Sequence, residues 1–150
     1  MSLENLARVG KLKPHSPTRQ EIARLVASAH RNLRDARVAG VSAETRFDVA
    51  FKAVMQCGLA ALMANGFRPS TSEPGHHATV IQSLTITIAL PNERCIVLDK
   101  LRRLRNLSDY SGVDISEQEA ASCIRSAESL LVSFGAWLRI NRSELLSRDS

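Results

Sequence analysis

A chain of 150 residues, 44% hydrophobic and 23% charged, suits one soluble globular domain, long enough to bury roughly 70% of its unfolded surface. A net charge of +5 and a pI near 9.6 permit polyanionic partners without requiring them. Three cysteines, Cys57, Cys95 and Cys123, are odd in number, lie in apolar segments and lack metal spacing. That excludes a disulfide framework and a zinc site, and fits reduced core residues of a cytoplasmic protein.

Residues 1–17, MSLENLARVGKLKPHSP, have neither an apolar signal core nor a small-residue cleavage site and read as a partly ordered N-terminal arm. Thr18-Arg-Gln-Glu21 is a capping box, and Ile22, Leu25, Val26, Ala29, Leu33 and Ala36 follow with a period near 3.6. This predicts a first helix that stops at Gly40. Ser42 is the N-cap of a second helix, predicted to run to Asn65-Gly66. Its stretch VAFKAVMQCGLAALMA is too short and too polar, with Lys52 and Gln56, for a membrane span. Being apolar almost all round, it is predicted to form the centre of a bundle, with Met55 and Met63 as filler.

RPSTSEPG, residues 68–75, reads as a loop. Residues 76–90 fit both a strand and a helix, and helix is preferred because no second strand is predicted to pair with them. Pro91-Asn92 ends that segment, and a further helix is expected from Glu93 to Tyr110, stopped by Gly112. Ser116-Glu-Gln-Glu119 is a second capping box, opening a last helix with Ala120, Ile124, Ala127, Leu131, Phe134 and Leu138 in a heptad-like stripe. The fold expected is all-α, an up-down bundle of about five helices over residues 18–140, with a frayed tail at 141–150.

Charge is uneven along the chain. Residues 1–41 carry eight basic and three acidic groups, and residues 75–110 carry five and three. The segment LRRLRNLSDYSG, Leu101 to Gly112, concentrates the second excess. Wound at about 100° per residue from Leu101, the residues Val97, Leu98, Leu101, Leu104 and Leu107 are predicted to form the packed arc, from about 240° through zero to about 60°. Asp99, Arg102, Arg103, Asn106 and Tyr110 fall opposite. Arg105, near 40°, falls inside the apolar arc with Asp109 near 80° beside it. A guanidinium on a packed face needs a partner or a ligand. Asp109, at i+4, supplies a partner. Arg102, Arg103 and Asn106 could join Arg105 in cradling a phosphate of RNA or a nucleotide.

RNxxDY, from Arg105 to Tyr110, resembles a signature of the HEPN superfamily of small helical domains. RFDVAFKAVMQCGLAALMANGFRP resembles the family's second helix and GHHATVIQSL the helix that follows. The resemblance implies a homodimeric bundle that binds RNA or a nucleotide, acting within a toxin–antitoxin pair or beside a nucleotidyltransferase. Many members resemble metal-independent endoribonucleases with an Arg-x4-6-His motif at a dimer interface. Here Arg105 matches the motif arginine and Asn106 its neighbour, but Tyr110, Ser111 and Gly112 stand where the histidine belongs. Any catalysis would fall to Arg105, Asp109 and Tyr110. An arginine-paired Asp is a weak base and Tyr a poor acid near neutral pH, so weak or absent cleavage is expected. No cofactor or metal is implied.

Three alternatives follow: a binding domain, an active ribonuclease toxin, and a non-catalytic interaction module whose arginines only make salt bridges. Arg24 and His30 also fit Arg-x5-His, but six residues turn about 240°, separating their side chains. His76-His77 lacks zinc-ligand spacing and is expected to cap and pack, with a role beside the arginines as the lesser alternative. Trp137, Tyr110 and four Phe are too sparse for a base-stacking platform.

Overall fold

The structure, a computed structural model, describes residues 1–72 and 75–146. In chain order the elements are α1 (Leu3–Arg8), β1 (Leu12–Pro14), α2 (Arg19–Ala36), α3 (Ala43–Ala64), β2 (Phe67–Pro69), α4 (His76–Gln82), α5 (Leu84–Thr87), α6 (Asn92–Ser111), α7 (Glu117–Asn141) and a 3-10 turn at Ser143–Leu145. The all-α expectation holds, with one small two-stranded ribbon added.

Local chemistry sets the long helices where the capping residues predict. Thr18 and Ser116 each accept from the backbone of the residue three positions on, and Glu21 and Glu119 reciprocate, so both capping boxes form. Ser42 caps α3 through the Thr45 amide. Two helix ends are closed by arginines from elsewhere: Arg46 donates to the Ala36 carbonyl at 2.8 Å, and Arg142 donates to the Ala64 carbonyl. Both place a cation at the negative end of a helix dipole.

α3 is the central element, packed chiefly between α2 and α7. It is long and apolar enough to cross a membrane, but 61% of its apolar window is buried inside the protein, as a core helix requires. Phe47, Phe51 and Val54 from α3 join Ile22, Leu33, Leu130 and Phe134 in the main core. Gly58 matters here because α4 crosses close to it: a Cβ at this position would lie 2.6 Å from Val80 Cγ1. All three cysteines are free and buried, and burial pushes the Cys123 thiol up to about 12 and Cys57 higher still.

Several boundaries differ from expectation. The N-terminal arm is built into the fold: Leu3, Leu6 and Leu12 form a second core with Leu62 and Val80. β1 pairs antiparallel with β2, Leu12 opposite Pro69 and Pro14 opposite Phe67, so the expected loop at 68–75 begins as a strand. His15 ties the arm to α2 through Glu21 at 2.8 Å. Of residues 76–90, His76–Gln82 and Leu84–Thr87 form two short helices, α4 and α5, and the chain leaves the helix before Ala89, which has φ 53. The start of the expected frayed tail is likewise packed, with Leu145 buried. Residues 147–150 of that tail lie outside the described residues.

Candidate functional site

α6 begins after Pro91, has no side-chain cap, and ends at left-handed Gly112. Its buried residues are Cys95, Leu98, Leu101 and Ser108, which span about 340° through zero to about 120° on the helical wheel. The packed arc is therefore rotated from the expected one. Val97 and Leu107, predicted to pack, are 42% and 51% exposed. Arg102, predicted to face away, has only 18% of its side chain exposed. The reason is that α6 rests on α3, α4, α5 and α7 yet buries only four of its residues, so which side is covered depends on where those neighbours lie.

The rotation gives the arginines different fates. Asp99 is 14% exposed and holds Arg102 at 2.8 Å and Arg103 at 3.0 Å. The Arg102 hydrogen bond is the main cause that keeps the Asp99 carboxyl below its usual range, against the upward pull of burial. Arg103 is 71% exposed and takes no part on the inner side. Arg105 is less committed. Its Nε lies 3.7 Å from Asp109 Oδ2, longer than a direct hydrogen bond, and its guanidinium lies 5.6 Å from the centre of the buried Phe51 ring on α3. That side chain is 31% exposed, so it is neither sealed in the core nor free in solvent. Cation–π contact with a core ring holds the group at the edge of the bundle while leaving its donors accessible.

Two residues outside α6 complete the surroundings. Asp48, on the outer side of α3, has its carboxyl raised first by partial desolvation and next by the charge of Asp109, with Arg105 pulling it down. His77, at the start of α4, packs edge to face on His76 with ring centroids 4.4 Å apart. Burial, His76, Arg105 and Arg102, in that order, depress the His77 pKa below its ordinary value, which favours the neutral imidazole. The expectation that these histidines cap their helix is not met: the N-cap is Gly75 and no side chain caps it.

The structure thus brings Arg102, Arg105 and Asp109 to one side of α6 and adds His77 and Asp48. Asn106 is half-buried one turn from Arg102. Tyr110 is 87% exposed and stands apart from this cluster. His77 was visible in the sequence only as half of a His-His pair, and Asp48 carried no signal at all, because both reach Arg105 through tertiary packing. Among the described residues no group of three or more His, Cys, Asp or Glu side chains could hold a metal ion. Compared with known proteins, the chain matches no family model and no curated protein is significantly similar to it.

Proposed function

We propose that this protein is a HEPN-like helical domain that binds RNA or a nucleotide through Arg105, as a cytoplasmic homodimer working within a toxin–antitoxin or nucleotidyltransferase pair. The supporting observation is the unfinished pairing of Arg105. Asp99 already satisfies Arg102 and Arg103, whereas Asp109 meets Arg105 only at 3.7 Å. A phosphate oxygen could take up the guanidinium fork by displacing one carboxylate, without breaking a tight buried pair. Arg102 stands one turn before Arg105, and Asn106 one turn beyond Arg102, to orient such a ligand.

Charge balance makes this testable in both directions. Arg102, Arg103 and Arg105 are matched by Asp99, Asp109 and Asp48, so Asp109 competes with any incoming anion. Binding of a labelled RNA oligonucleotide, followed by fluorescence anisotropy, should weaken steeply with salt. Arg105→Ala should weaken it at least tenfold and Asp109→Asn should strengthen it. Unchanged affinity in both variants defeats the proposal.

His77 favours a second reading, an active metal-independent endoribonuclease, because it supplies the neutral imidazole that the Arg105 motif lacks. That reading expects RNA cleavage in EDTA, lost in both Arg105→Ala and His77→Gln. A pure interaction module expects neither binding nor cleavage.

A further inference from the structure

Between α2 and α7, which both pack on α3, lies an open groove of about 870 Å³ that shares no lining residue with the arginine cluster. Leu33, Leu131, Phe134 and Leu138 form its floor, and Leu145 and Leu146 close one end. Its walls are apolar, with Ala23, Val26 and Ala27 on α2 and Val132 and Gly135 on α7. A Cβ at Gly135 would meet only the Arg139 Nη1 atom, at 3.6 Å, so another backbone could approach closely there. The α2 wall from Ile22 to Arg37 is about 22 Å long at 1.5 Å per residue, enough for about four turns of a helix. A long, open trough with apolar walls and floor suits an amphipathic helix better than a small molecule, which is usually enclosed.

The rim is basic. His30, Arg37 and Arg139 edge the groove, and Arg34, four residues beyond His30, lies on the same side of α2. The one acid among the lining residues, Glu128, is engaged by Arg37 at 2.9 Å. Among the described residues Arg34 and Arg139 form no ion pair. A second copy presenting the same surface would bring like charges together, which disfavours self-association here. We infer that this groove docks an amphipathic helix of a partner protein whose apolar stripe is flanked by Asp and Glu.

The test is selection from a displayed library of helical peptides with randomised faces, using the full chain as bait. Ala27 is exposed, so Ala27→Glu places a like charge in the wall without disturbing the core. Selected peptides should carry apolar residues at i, i+3 or i+4, and i+7, flanked by acids. Their affinity should fall at least tenfold with either Ala27→Glu or Arg139→Glu, and stay unchanged with Arg105→Ala. The inference is overturned by no enrichment, by peptides without acidic flanks, by binding indifferent to Ala27→Glu, or by a wild-type dimer in sedimentation that Ala27→Glu makes monomeric. A long-chain fatty acid that binds the groove where no peptide does also overturns it.

Discussion

α3 and α6 are similar in length and placed very differently. α3 buries eleven of its 22 residues, with α2 on one side and α7 on another. α6 buries four of its 20 and leaves Ile96, Val97 and Leu107 between 42% and 51% exposed. An enclosed helix gains from every apolar side chain it buries, so apolar residues dominate it and its main role is cohesion. A helix at the edge can hold charged groups partly inside without stranding them, since solvent is within reach of their tips. Arg105 uses that allowance, over a core ring and beside a carboxylate. The cohesive helix and the chemically equipped helix are thus separate elements, joined by the contact of Phe51 with Arg105.

The comparison breaks most readily at α3. Phe47→Ala removes a fully buried ring and should cost about 3–5 kcal/mol in denaturant unfolding; a loss below about 1 kcal/mol would mean α3 is not the cohesive centre. Gly58→Ala should cost about 1–3 kcal/mol in the same assay, because the added methyl meets Val80 and a β-branched side chain has little freedom to turn away.

A pH-dependent effect should appear at the α4–α6 contact. The His77 pKa is depressed in the fold, so its neutral form is favoured there. That contribution is complete above the ordinary value of 6.5 and is lost as pH falls below it toward the depressed value. His77→Gln should flatten this part of the stability–pH curve, measured by thermal unfolding between pH 5 and pH 8 (an approximate range). An unchanged curve would place the imidazole in free solvent. The smallest effect belongs to the outer side of α6: Leu107→Ala, at a half-exposed position, should shift stability by no more than about 0.5 kcal/mol. A larger loss in the isolated chain would contradict the observed rotation of α6, while a change confined to self-association would reveal a dimer contact.

What could be read in advance was local. Thr18, Ser42 and Ser116 marked three helix starts because a cap acts within three residues of itself. Gly112 marked a helix end because it adopts φ 67 at little steric cost. The N-terminal arm was missed because its order comes from distant partners: β1 finds β2 more than fifty residues along the chain, and Leu3 and Leu6 are covered by Leu62 and Val80. The packed side of α6 was misplaced for a related reason, since an apolar stripe shows which side would prefer burial but not which side has a neighbour.

Taken alone, the order of residues determined a mainly helical chain, the caps at Thr18, Ser42 and Ser116, the stop at Gly112, and the identity of α3 as its core, because those depend on backbone satisfaction and on apolar content within one segment. Only the tertiary arrangement decided that Arg102 turns inward to Asp99, that Arg105 rests on Phe51, and that His77 and Asp48 stand within reach of its charge. Those relations need helices from separate parts of the chain at fixed distances, and packing sets such distances while spacing along one helix cannot.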